Sequence, residues 1–446
     1  MKRYETYKDS GIQWVGMIPE HWNAVPLKYN LSLKGRIGWN GLKSDEFKEK
    51  SYAYLVTGQD FIKADIEWSK CYQIDKERYD EDPFIQLENG DLLVTKDGTI
   101  GKIAKVSGLD KPACLNSGIF VVKPKRKVFI QNFLYWTFVS NQLIDFNNFN
   151  STGSTIQHLY QNVFENMPLL IPSIEEQQAI ASYLDYKIGQ IDAAIAEKDQ
   201  MLEDLKAYRS AIISEAVTKG LDKDVEMKDS GIDWLGMIPA KWDCSSLKRF
   251  LSQPLQYGAN ESAESTNPDW PRYIRITDID EYGNLRDETF KSLDPEKAND
   301  YLLEKGDVLF ARSGATVGKT YIFNENYAAC FAGYLIKAKC GEKLLPEFLY
   351  LYTNSIQYDN WKNSVFIQAT IQNIGADKYS LLPIVVPSIE EQQRILDYVN
   401  AKLCKLSSVI TDVQSQIDDL KKYKSSIITE AVTGKVDLRD WKPYKK

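Results

Sequence analysis

The chain repeats itself. Lys8–Trp22 reads KDSGIQWVGMIPEHW and Lys228–Trp242 reads KDSGIDWLGMIPAKW, with eleven of fifteen positions identical at an offset of 220 residues. PSIEEQQ stands at Pro172–Gln178 and again at Pro387–Gln393, 215 residues on. At that same offset DLKAYRSAIISEAVT (Asp204–Thr218) returns as DLKKYKSSIITEAVT (Asp419–Thr433). Self-similarity at one long period means two copies of a unit laid head to tail. Whatever the first copy does, the second does at another place.

Each copy ends in a long helix. Ser173 as N-cap and Glu176 at the third helical position make a capping box, which Ser388 and Glu391 repeat. Apolar residues then recur in alternating steps of four and three: Leu184, Ile188, Ile191, Ile195, Leu202, Leu205 and Ile212, interrupted once by Lys198. The second stripe runs Val399, Leu403, Leu406, Ile410, Val413, Ile417, Leu420 and Ile427. Such spacing sustained over several heptads specifies a coiled-coil seam. About 40–45 residues at ~1.5 Å each make a rod of roughly 60–70 Å. The segment after the first helix leads into the start of the second, and short connections then require an antiparallel pair. Ile188 is expected near Ile427 and not near Leu403.

The segments before the helices read as mixed α/β. Tyr52–Val56, Gly90–Thr95 and Gly118–Val122 look like strands, matched by Tyr273–Ile276, Gly306–Ala311 and Tyr334–Ala338, and Phe133 and Phe348 open corresponding helices. The expected fold is α+β: two α/β domains separated by a long antiparallel two-helix coiled coil, with a pseudo-two-fold internal repeat. The boundaries are residues 1–171 (first domain), 172–218 (first helix), 219–386 (second domain), 387–433 (second helix) and 434–446 (tail). Outside their anchors the two α/β segments differ, which suggests one scaffold carrying two recognition surfaces.

Composition narrows the function classes. With 446 residues, 43% hydrophobic and 12% aromatic, the chain can pack several cores. No apolar run is long enough to span a membrane and MKRYETYKDS carries no signal region, so a cytoplasmic protein is expected. Six scattered cysteines and two histidines starve a zinc site, and no metal is expected. The net charge of −7 does not argue against nucleic acid, because binding follows local fields. Lys123–Lys127 holds four cations in five residues and Lys28–Lys50 six more, although such runs also serve as solvated surface.

Ser313–Thr320 (SGATVGKT) approaches a phosphate loop, but the first glycine is replaced by Ser313, and KDGTIGKI in the first copy ends in Ile103. The copies share instead a glycine-rich turn bearing cations: Lys96, Gly98, Gly101 and Lys102 against Arg312, Ser313, Gly314, Gly318 and Lys319. Cations beside backbone N–H groups suit phosphate contact and reach into a groove. The plainer reading is a hairpin turn with solvated lysines. Arg275 is a further candidate DNA contact. Thr155 and Gln157, repeated as Thr370 and Gln372 in a shared Thr-Ile-Gln, can read base edges or cap a helix. Asn267-Pro268-Asp269-Trp270 lacks the second proline of an amino-methyltransferase loop, and no catalytic constellation recurs in both copies.

KDSGIDWLGMIPAKW, VPSIEEQQRI and SSIITEAVTGKVDLR resemble the specificity subunits of type I restriction–modification enzymes, and the likeness runs through essentially the whole chain. The resemblance implies a non-catalytic subunit whose two target recognition domains each read half of a split double-stranded DNA site. It implies two methyltransferase subunits and ATP-dependent restriction subunits as partners, with S-adenosylmethionine, ATP and Mg on those partners and no cofactor on this chain. The helix pair would act as a ruler between two half-sites. A recognition subunit of a related fused restriction–methylation system, or a stand-alone coiled-coil DNA-binding scaffold, would share many of these features.

Overall fold

The computed structural model describes residues 2–36, 42–150, 158–262, 264–280, 283–314, 316–367 and 373–442. Two compact units divide the chain: Met1–Lys198 with Ser415–Lys446, and Asp199–Gln414. The division passes through both long helices. Ile174–Lys219 gives its first part to the first unit, and Ile389–Val432 gives it its last.

In the first unit an antiparallel sheet runs in the order Ile103–Lys105, Leu92–Thr95, Ile119–Pro124, Leu31–Gly35. Alternate residues of a strand face opposite sides, so this sheet separates two cores. Leu92, Val94, Phe120 and Val122 join the core shared with the long helices, while Leu93, Ile119 and Val121 join a core with Ala53, Leu55 and Ile74. The latter belong to a second sheet in which Ala113–Leu115 pairs parallel to Ala53–Val56, itself antiparallel to Tyr72–Ile74. The second unit repeats the plan, with the order Gln256–Tyr257, Leu335–Ala338, Val308–Ala311, Thr320–Ile322 and a parallel pair Arg272–Ile274 with Ala329–Phe331. Val308 and Phe310 face one core, Leu309 and Ala311 the other.

The helices pair antiparallel within each unit. In the first, Lys424 Nζ meets Asp192 Oδ1 at 2.5 Å and Lys198 Nζ meets Gln416 Oε1 at 2.5 Å. Moving forward along one helix moves backward along the other. Ile188 and Ile427 share a core there. In the second unit Ile213, Ala216 and Val217 share a core with Ile395, Leu396 and Val399, so the end of one helix lies with the beginning of the other. Of the seam positions, Leu184, Ile188, Ile191, Leu202, Val399, Leu406, Val413 and Ile417 are buried, and Ile195, Leu205, Leu403, Ile410 and Leu420 are half-buried. Near its end the first helix buries Ile213 and leaves Ile212 half-buried, because the α/β body also packs on that stretch and shifts the covered face.

The near-identical residues form the joints between each α/β body and the helices. Gln177 and Gln392 are fully buried. Gln177 accepts the Ile130 N–H at 3.0 Å and donates to Val128 O at 2.8 Å, and Gln392 accepts the Leu345 N–H and donates to Lys343 O, both at 2.8 Å. The N–H groups of Asn141 and Ile356, at the starts of two short helices, donate to Thr429 Oγ1 (3.2 Å) and Ser214 Oγ (2.8 Å). Trp22 Nε1 donates to Glu176 at 3.4 Å and Trp242 Nε1 to Glu391 at 3.1 Å. Gly434 and Gly220 end the helices with φ of +71° and +76°, the left-handed cap that glycine adopts without strain. A Cβ on Gly434 would stand 2.4 Å from Pro19, and one on Gly220 3.0 Å from Trp242. Among the described residues no helix is long and apolar enough to cross a membrane.

Candidate nucleic-acid interface

In the first unit the strand Leu92–Thr95 runs out into the turn Lys96–Lys102 and returns as Ile103–Lys105. Thr95 holds the turn closed: its Oγ1 donates to Thr99 O at 2.5 Å and accepts the Lys102 N–H at 2.9 Å. Gly98 and Gly101 take φ of +69° and +82°, which leaves the tip narrow and its backbone approachable. Lys102 is exposed. Lys96 is half-buried, with Nζ 5.3 Å from the Phe120 ring centre. A cavity of about 560 Å³ beside the turn is lined by Gln59, Tyr72, Asp97, Lys102 and Asn116 among others.

The second unit builds the equivalent turn with different groups. The Arg312 guanidinium lies 4.9 Å from the Tyr257 ring centre. Ser313 bridges antiparallel to Asn373. A strand, Thr320–Ile322, follows the SGATVGKT segment, and Thr320 is buried with its hydroxyl 2.7 Å from that of Thr353. A phosphate loop needs a helix there and a free hydroxyl. The nucleotide reading has neither.

The structure brings the turns to the segments that follow Thr-Ile-Gln. Leu159 N–H donates to Lys96 O at 3.1 Å and Ile374 N–H donates to Arg312 O at 2.8 Å, the same bond in both copies. His158, at the same edge, lies 2.8 Å from Asp97. Thr155, Gln157, Thr370 and Gln372 themselves lie outside the described residues.

Two expected contacts are engaged internally. Arg275 forms a two-pronged pair with Asp278, at 3.1 and 2.6 Å, and donates to Thr289 O at 2.8 Å. Lys319 Nζ donates to Ile279 O at 2.8 Å. Both side chains brace loops. Of the Lys123–Lys127 run, Lys123 pairs with Asp91 at 3.2 Å and Lys125 donates to Lys28 O at 2.8 Å. Burial pushes the Asp91 carboxyl up, and that of Asp307, its repeat partner, likewise. Each caps its turn by accepting a backbone N–H, from Glu88 or Glu304, at 2.8 Å. Sequence reading missed Arg36, which lines a cavity together with Lys96, and Tyr257, whose ring lies against Arg312. It also missed the joint made by Gln177 and Gln392, although their identity in PSIEEQQ was visible.

Comparison with known proteins fits this geometry. Residues 42–203 and 260–419 each match the family described as Type I restriction modification DNA specificity domain. The chain is 25% identical over 358 residues to the EcoBI type I restriction enzyme specificity subunit of Escherichia coli, covering 78% of this chain and 73% of that one. It is 23% identical over 439 residues to the MjaVIII specificity subunit of Methanocaldococcus jannaschii, covering 95% of each. It shares its fold with a chain from a solved structure concerned with complex assembly and conformational transition of the type I R-M system, at a TM-score of 0.70 and 15% identity, over 94% of this chain and 99% of that one. With one family match to each copy of the repeat, this chain belongs to the type I restriction modification DNA specificity family and carries its DNA specificity domain twice.

Proposed function

We propose that the two α/β domains each read one half of an asymmetric, split DNA site. The two long helices set the nonspecific gap and dock two methyltransferase subunits, which an ATP-dependent restriction subunit joins. Lys96, Gly98 and Lys102 serve the first half-site, with Thr155 and Gln157. Arg312 and Ser313 serve the second, with Thr370 and Gln372. The carrying observation is the pair of glycine turns, pinned by the same Leu159 and Ile374 hydrogen bonds but furnished with unlike side chains. One frame with different contents suits two different half-sites. S-adenosylmethionine, ATP and Mg belong to the partner subunits, the chemistry is methylation of adenine N6, and the complex works in the cytoplasm.

The test is single-molecule sequencing of host DNA for N6-methyladenine with the gene intact and deleted. A two-part motif with a fixed gap, lost on deletion, is expected. If no motif depends on the gene while its methyltransferase partner is expressed, the proposal fails.

A further inference from the structure

A cavity in the first unit lies where the second unit places a tyrosine ring, and the reason is legible residue by residue. It measures about 450 Å³ and is lined by Gly35, Arg36, Lys96, Leu159, Tyr160 and Gln161 among others. Strand register gives the equivalences. Phe120 faces Gly35 and Val94, while Ile336 faces Tyr257 and Phe310. Gly35-Arg36 therefore stands where the second unit has Tyr257-Gly258. There the tyrosine ring lies under Arg312, and its hydroxyl accepts the Ala376 N–H at 2.9 Å. Ala376 is the repeat partner of Gln161. The second unit thus fills with its own side chain the space that the first leaves open. A Cβ on Gly35 would meet Ile119 O and Phe120 at 2.9 Å, so a ring cannot be placed there without moving the sheet.

The open version is cationic. Arg36 is 2% exposed. Its Nε donates to Leu115 O at 3.0 Å and its Nη2 to Cys114 Sγ at 3.5 Å, while Nη1 has no hydrogen-bond partner among the described residues. Burial pushes the Cys114 thiol up to about 11, so the sulfur is neutral at physiological pH and supplies no counter-charge. The carboxylate at this cavity is Asp97, which is held by His158 at 2.8 Å. Lys96 adds a second cation over Phe120. A buried guanidinium without a counter-ion is costly and calls for an anion when the site is in use.

We infer that this cavity is a phosphodiester cradle in which Arg36 and Lys96 take one backbone phosphate of the duplex, an anchor that the second domain has replaced with Tyr257. The inference rests on the DNA-reading role proposed above. In it Arg36 positions the first domain and carries no sequence information, whereas Arg312 in the second domain lies against the Tyr257 ring.

The test measures binding of the full chain to a short random-sequence duplex pool as salt is varied, followed by sequencing of the bound fraction. The variants are Arg36→Met, Lys96→Gln and the double. Losing one phosphate contact lowers the slope of log affinity against log salt by about 0.9, so the affinity lost between about 50 and 200 mM salt shrinks about 3.5-fold. The double variant should show this and each single variant part of it, and Arg36→Met should enrich the wild-type motif. If Arg36→Met fails to fold by circular dichroism, Lys96→Gln carries the test in the same direction. An unchanged slope in wild-type-like folded variants overturns the cradle alone. A retained slope with an altered motif also overturns it, making the cavity a base reader. A wild-type chain that binds no duplex removes the DNA reading and the cradle together.

Discussion

Replacing Gln392 with alanine should damage the second unit far more than replacing Gln393, the next residue and the same amino acid. Gln392 is fully buried. Its Oε1 accepts the Leu345 N–H at 2.8 Å, and its Nε2 donates to Lys343 O at 2.8 Å and Pro387 O at 2.9 Å. Alanine strands one backbone N–H and two carbonyls at once. At about 1–2 kcal/mol for each stranded group the loss is about 3–6 kcal/mol. Gln393 is exposed and donates only to Asp397, one turn along, at 2.9 Å, a contact worth at most about 0.5 kcal/mol. A two-unit chain has no single unfolding free energy, so the assay is native-state hydrogen exchange at the Leu345 amide, which reads local opening. Gln392→Ala should cut its protection by about two to four orders of magnitude, and Gln393→Ala by less than threefold. Loss of less than tenfold in the first, or equal loss in both, would refute the idea that this glutamine clamps the α/β body to the helix.

Arg275→Gln should lower stability by about 2 kcal/mol or more, since Asp278, 1% exposed, would keep its charge without its partner; thermal melts check this, and the methylated motif should not change. Arg312→Ala should degrade the second half of the motif and leave the first intact, and a uniform loss across sequences would restrict Arg312 to phosphate contact. Acid should weaken the first unit through Glu176. Burial pushes that carboxyl up, but hydrogen bonds from His21, the Ser173 N–H and Trp22 more than offset it, leaving it below the usual carboxylate value. The unfolded chain therefore binds this proton more readily, and the stability is present above about pH 4.3 and lost as pH falls below it. Melting temperatures of wild type minus Glu176→Gln, taken between about pH 6 and 3, should show the difference closing on acidification. Adding one heptad to both long helices, about 10 Å, should lengthen the gap in the motif by ~3 base pairs and leave both halves unaltered.

How much of this could be read from the chain depended on whether a residue's partners recur with it. The seam positions were legible because helix spacing alone decides which face is covered, until Ile212, where an α/β body adds a second covering surface and the burial passes to Ile213. The glycine turns were legible because both copies place a glycine at positive φ two residues after the first cation and another just before the lysine. Arg275 and Lys319 were not, since their internal partners, Asp278 with Thr289 and Ile279 O, are brought to the side chains by the fold and are not marked by any repeated spacing. Gly35-Arg36 against Tyr257-Gly258 was invisible for the same reason: only cross-strand register aligns them.

The pattern of identity then follows from mechanics. In each unit a tryptophan and a capping-box glutamate hold the start of one long helix beside the glycine that ends the other: Trp22, Glu176 and Gly434 in the first, Trp242, Glu391 and Gly220 in the second. A change on either side of such a joint strands a buried N–H or drives a Cβ into Pro19 or Trp242. Both joints do the same work, so both keep the same residues. The turns have no such duty to one another, since in the proposed function each answers to its own stretch of DNA. Within this chain, sameness marks where the frame closes on itself, and difference marks the turns proposed to read.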